Sequence, residues 1–178
     1  MSETKDLIPS DDTYSDSNEP DHVKGSATQL TFENSTIDRA IFLKWDFSPI
    51  PPGAKIISAI CYLYVASVGG TTIIAGLTER CDADWNEGEL TYNNRPNVTG
   101  SSIHSWAFPE IGWYNCGGDF TDIVQNWINK SVNNYGVRIW QEAAFSYGYC
   151  RSKEYASNKP YLRVVYTLSG APFLLNFI

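Results

Sequence analysis

Between Arg39 and Val65 apolar residues recur with a period of two, stop at Pro49, Pro51, Pro52 and Gly53, and then resume. Successive side chains of a β-strand point to opposite faces, so this pattern predicts a strand, a Pro/Gly turn and a second strand. In the first, Ile41, Leu43, Trp45 and Phe47 share one face and Phe42, Lys44 and Asp46 the other. In the second, Ile57, Ala59, Cys61, Leu63 and Val65 are in phase, with Ile60, Tyr62 and Tyr64 opposite them. A half-buried strand carries polar residues on its outer face, whereas this one carries aromatics. That outer face is therefore expected to be an open apolar patch suited to binding or subunit contact, or a second core layer.

The same alternation predicts shorter strands elsewhere. Thr28–Phe32 has Leu30 and Phe32 inward, Thr71–Thr78 follows the Gly69-Gly70 turn, and Val137–Gln141 follows Asn133-Asn134-Tyr135-Gly136. Tyr147–Arg151 is a further short element, and Pro160–Tyr166 places Leu162, Val164 and Tyr166 in phase. One stretch differs: Phe120, Ile123, Val124, Trp127 and Ile128 recur at helical spacing, predicting one amphipathic helix over Asp119–Lys130. Trp45 and Trp127 lie on core-facing positions. About eight or nine short strands and one helix make an all-β sandwich.

Residues 1–11 are expected to be a flexible lead-in, residues 12–167 the sandwich, and residues 168–178 a distinct tail. In that tail Phe173, Leu174, Leu175, Phe177 and Ile178 would each cost about 1.5–3 kcal/mol if left in water. The tail is expected either to fold back on its own domain or to dock on a neighbouring subunit, for instance as an added strand.

A chain of 178 residues, 43% hydrophobic, can bury a core without disulfides or metal. Its net charge of −7, with no cluster of Lys or Arg free of acidic neighbours, argues against nucleic acid as a partner. No apolar run reaches the roughly 20 residues of a membrane-spanning helix. Met1–Asp6 lacks the basic start and apolar stretch of a secretory signal, so export by that route is not expected. Cys61, Cys81, Cys116 and Cys150 are too widely spaced for a zinc motif and are expected to be buried or unpaired thiols, with a single disulfide bridge as the alternative.

Nucleophilic catalysis finds no support, because the two histidines, His22 and His104, lie outside any Ser or Cys motif. Asp82, Asp84, Glu87 and Glu89 surround Trp85 and would supply the two carboxyls a glycosidase needs, but turn chemistry at Asn86-Glu87-Gly88 is the preferred reading. The same cluster, or Asp11, Asp12 and Asp16, could hold a structural calcium ion. No regular loop of alternating oxygen ligands is present, so no cofactor is expected and no metal ligand is assigned. Aromatic residues, 14% of the chain, are the stronger lead, because sugar rings stack on flat aromatic faces. Trp113 and Tyr114 sit between Gly112 and Gly117-Gly118 as on a loop, and Tyr147, Tyr149, Arg151 and Lys153 combine stacking faces with cations. These six are the candidate ligand-binding residues, with local packing as the competing reading. Ile60, Tyr62 and Tyr64 and the apolar tail are the candidate interface residues.

The segments Asp12-Thr-Tyr14, Arg39–Phe47, Ile50–Ala59, Trp85–Pro96, Asp119–Trp127, Asn134-Tyr-Gly136, Ser152-Lys-Glu154 and Pro160–Tyr166, in this order, resemble the DNRLRE carbohydrate-binding β-sandwich domain. That domain is related to disaggregatase-associated repeats and to an alginate-binding module family, and the resemblance covers roughly Ile8 to Thr167. It implies a jelly-roll-like sandwich without catalysis of its own, displayed on surface proteins and polysaccharide-active enzymes. The expected function is non-catalytic binding of a polysaccharide or surface glycan, within a larger assembly, at an extracellular, cell-surface or virion surface. The alternatives are a structural subunit, such as a virion decoration, fibre or filament protein that self-associates, and thirdly a polysaccharide-active enzyme.

Overall fold

A computed structural model describes residues 1–70, 74–116, 119–141 and 146–168. Among them are eleven strands and one helix: β1 (Ser2–Leu7), β2 (Asp11–Asp16), β3 (Gln29–Asn34), β4 (Asp38–Lys44), β5 (Ala54–Gly70), β6 (Ile74–Cys81), β7 (Val98–Phe108), β8 (Gly112–Asn115), α1 (Thr121–Ile128), β9 (Val137–Gln141), β10 (Ser146–Arg151) and β11 (Tyr161–Leu168). All ladders are antiparallel, and the strand order is β1-β11-β5-β10-β3-β4-β9-β6-β7, with β2 added on β4 and β8 on β5. The expected all-β, sandwich-like class is what the chain adopts, with more strands than alternation alone revealed.

The long strand β5 organises the sandwich. Its residues 54–62 pair with β11, while residues 65–70 pair with β10, so one strand joins the two halves of the sheet. Leu30 and Phe32 of β3, Ile41 and Leu43 of β4, Ala59, Cys61 and Leu63 of β5, and Leu162, Val164 and Tyr166 of β11 merge in one core. Trp45 and Trp127 are buried in it, as their phase predicts.

Strict alternation in β5 places Ile57 inward, but Ile57 is 51% exposed and Ile56 only 5%. The ladder with β11 explains this. Val165 opposes Ser58 and Tyr166 opposes Ile56, so Ile57 is the extra residue of a β-bulge that reverses the phase of the strand below it.

The opposite edge of β5 is capped by α1 in place of a strand. Gln125 of α1 donates from Nε2 to the Ala54 carbonyl (3.1 Å) and accepts from the Ile56 N–H through Oε1 (2.8 Å). Thr121 Oγ1 accepts from the Ala59 N–H (3.1 Å), and the Phe120 N–H donates to the Ala59 carbonyl (2.8 Å). Side chains thus satisfy backbone groups that would otherwise leave an open sheet edge.

Phe42, on the face of β4 opposite Ile41 and Leu43, is buried too: with Ala40, Cys81, Trp85 and Leu90 it forms a second core beneath the 82–97 loop, its ring edge-on to Trp85 at 5.9 Å. One further expectation is corrected. Residues 2–7 are no flexible lead-in, since β1 pairs with β11 along its whole length. The tail residues Phe173, Leu174, Leu175, Phe177 and Ile178 lie outside the described residues. Among the described residues no helix is long and apolar enough to cross a membrane.

Candidate functional site

The outer face of the β1-β11-β5-β8 sheet region carries a row of aromatic rings assembled by strand register. Tyr62 of β5 opposes Tyr161 of β11, and their rings stack with centroids 5.0 Å apart. Tyr64 of β5 opposes Trp113 of β8, the rings meeting edge to face at 5.5 Å. Trp113 also meets Tyr161 at 5.3 Å, so the four rings form one continuous patch. Directly opposed side chains lie close enough for such contacts, which is why the sheet register, and not any loop, sets the spacing of the rings.

Trp113 is 43% exposed, and Tyr62, Tyr64 and Tyr161 are half-buried. The face is therefore neither a second core layer nor a cleft. Arg163, opposite Asp6 of β1, borders it with its guanidinium 5.3 Å from the Tyr161 ring and 5.9 Å from that of Tyr62. The Asp6 carboxylate accepts from Arg163 Nε (2.8 Å) and Nη2 (2.7 Å). This bidentate pairing, its largest influence, raises the affinity of the guanidinium for its proton, and it leaves the edge of the patch electrically balanced.

The sequence-based candidates divide accordingly. Trp113 lies on a strand instead of the expected loop and joins Tyr62 and Tyr64, which were read separately as interface residues. Ile60, opposite Arg163, is half-buried on the same strand. Tyr114 points the other way, packing on the core with its ring 5.0 Å from Phe108. Tyr147, Tyr149 and Arg151 alternate along β10 with the buried Gly148 and Cys150. Tyr147 covers its partner Gly69, where a Cβ would sit 2.4 Å from the tyrosine ring. Arg151 lies over Tyr155 at 3.7 Å. Lys153 is no free cation beside these rings, because it is held by Glu87 (2.6 Å) and Glu154 (2.7 Å).

Tyr161 and Arg163 were missed. Their signal was present in the last strand, where residues out of phase with Leu162, Val164 and Tyr166 must face outward.

The acidic group around Trp85 also separates. Asp84 and Glu89 line a polar cavity of about 390 Å³ with Lys44, Asn86 and Asn94. There Asp84 accepts from Lys44 (3.0 Å) and from the Trp85 N–H (2.9 Å), and the Lys44 hydrogen bond is the leading cause that lowers its carboxyl below the usual range. Glu89 accepts from Asn86 (2.8 Å). Glu87 turns away toward Asp12, whose N–H it accepts at 2.9 Å. Asp16 binds Arg39 (2.8 Å), and Asp11 approaches Lys44 (3.7 Å). A second concavity of about 610 Å³ lies beside α1, between Trp45, Phe47, Ile50 and Trp127.

Residues 3–166 match the family model described as carbohydrate-binding module family 96. No curated protein matches the chain.

Proposed function

The chain belongs to carbohydrate-binding module family 96, and from that premise we propose that its outer aromatic face binds a polysaccharide without cleaving it. The observation carrying this reading is the continuous patch of Tyr62, Tyr64, Trp113 and Tyr161 on an open sheet surface. Pyranose rings present an apolar C–H face that packs on aromatic rings, and a continuous row of rings suits successive residues of an extended chain. Because Arg163 is already committed to Asp6, the face favours uncharged sugars over uronic acids. No step of bond cleavage is assigned to the Trp85 carboxylates, since Asp84 and Glu89 are engaged in the hydrogen bonds of their own turn. A finer DNRLRE-type assignment, and display outside the cell or on a virion, are part of the same proposal, supported by the order of the segments and by where glycans are encountered.

Affinity electrophoresis and calorimetry against neutral and uronic-acid polysaccharides test it. Trp113→Ala and Tyr161→Ala should each weaken binding about tenfold or more, as loss of a central aromatic contact does, while Tyr147→Ala on β10 leaves it unchanged. Wild-type affinity in both platform variants would sink the reading. If light scattering instead shows self-association that Trp113→Ala abolishes, the face is a subunit interface.

A further inference from the structure

Three carboxylates from distant parts of the chain converge beneath the 82–97 loop. Asp12 of β2, Glu87 of that loop and Glu154 just after β10 place ligand oxygens within 4.8 Å of one another. Their surroundings are specific. The Asp12 N–H donates to Glu87 Oε2 (2.9 Å), and the Lys153 N–H donates to Asp12 Oδ2 (2.7 Å). Lys153 Nζ bridges Glu87 Oε1 and Glu154 Oε1, and the Glu154 N–H donates to Ser152 Oγ (3.2 Å).

Two oxygens sealed from solvent, Asp12 Oδ1 and Glu154 Oε2, receive no hydrogen bond from any N–H or hydroxyl, and the two carboxyl groups approach closely enough to share a proton. Asp12 as a whole is 1% exposed. Three carboxylates face a single ammonium, Glu87 and Glu154 from partly exposed positions and Asp12 from a buried one, which leaves two negative charges in excess around Asp12. An uncompensated buried charge costs several kcal/mol, so it is either neutralised or given a counter-ion.

A proton shared between Asp12 and Glu154 would remove one of the two charges. A divalent cation removes both and supplies a partner to both idle oxygens. The donors are all oxygen, which selects a hard cation over zinc or copper. They come from a strand, a loop and a turn, and calcium tolerates such an irregular set and completes it with water. A solvent-open cavity of about 340 Å³, lined by Val23, Gly25, Ser26, Glu87, Gly88 and Glu154, adjoins the cluster and gives water access to it. The segments are already pressed together there: a Cβ on Gly25 would lie 2.2 Å from the Glu87 carbonyl oxygen.

We propose that Asp12, Glu87 and Glu154 form a calcium site that clamps β2, the 82–97 loop and the turn after β10. It does not depend on the glycan reading, because the site is built from other residues.

Calorimetric titration of chelator-treated full-length protein with calcium chloride should give one site per chain, and thermal unfolding should shift upward with calcium. Asp12→Asn and Glu154→Gln should each weaken binding at least about tenfold and reduce the thermal shift correspondingly. Asp12→Asn replaces the carboxyl by a neutral amide of the same shape, so without calcium this variant should unfold in chelator at or above the wild-type temperature, which separates lost ligation from lost folding. Absence of calorimetric binding in the wild type, or wild-type affinity in Asp12→Asn, would overturn the site. A wild type that ignores calcium but changes stability with pH assigns the cluster to a shared proton, which equally overturns it.

Discussion

Trp113 stands edge-on to Tyr64 at 5.5 Å because the two are register partners across β5 and β8, although 49 positions separate them in the chain. The contact ties the most exposed ring of the platform to the strand that also builds the core. An edge-to-face pair contributes about 0.5–1.5 kcal/mol beyond burial. A double-mutant cycle of Trp113→Ala and Tyr64→Ala, read by urea denaturation, should return a coupling energy in that range. Strictly additive effects would mean that register alone holds the rings in place.

Ile56 and Ile57 are adjacent and chemically identical, yet the bulge opposite Val165 and Tyr166 buries one and exposes the other. Ile56→Ala should cost about 2–5 kcal/mol of stability, and Ile57→Ala less than about 0.5 kcal/mol. Equal costs would show that β5 keeps strict alternation through this segment.

Burial is the main cause that raises the Asp12 carboxyl from its ordinary 3.8 to about 8, and it is opposed by the hydrogen bond from the Lys153 N–H. Glu154 moves down: burial raises it, but hydrogen bonds from Lys153 and Asp12 outweigh that, so the proton sits on Asp12. Between pH 4 and 8 folded Asp12 therefore keeps a proton that the unfolded chain has released. Stability must fall as pH rises through this window, at most by about 1.4 kcal/mol per unit from one group. Denaturation of chelator-treated protein from pH 5 to 8 should show this slope, and Asp12→Asn should flatten it. A flat wild-type profile would contradict the proton held on buried Asp12.

All four cysteines are free and buried. Cys61 and Cys116 face each other across the end of β8 with sulfurs 3.1 Å apart. Burial raises the Cys61 and Cys150 thiols well above their usual value and lifts Cys81 to about 12. Thiolate is the reactive form, so Cys61, Cys81 and Cys150 should resist a disulfide reagent at pH 8 in the native protein and react once it is unfolded in guanidinium. Rapid native labelling of any of the three would contradict this packing.

The alternation of Ala59, Cys61, Leu63 and Val65, the phase of Leu162, Val164 and Tyr166, and the helical spacing of Phe120 to Ile128 determined the all-β class, most of the core and the single helix. These are local properties, since the period of a strand or helix is written in neighbouring residues. The order of the weaker motifs carried the likeness to a carbohydrate-binding sandwich, which the family match bears out at the level of a carbohydrate-binding module.

Tertiary structure alone decided the rest. Alternation cannot register one inserted residue, so the reversal at Ile57 appears only in the ladder with β11. The polar spacing of β1 hid a strand because its stability comes from pairing with β11, not from its own apolar face. What covers Phe42 could not be read from its own strand, because the loop that packs on it lies some 40 residues further on. Tyr62, Trp113 and Tyr161 became one surface, and Asp12, Glu87 and Glu154 one cluster, because cross-strand register and loop closure bring together residues that sequence separation keeps apart.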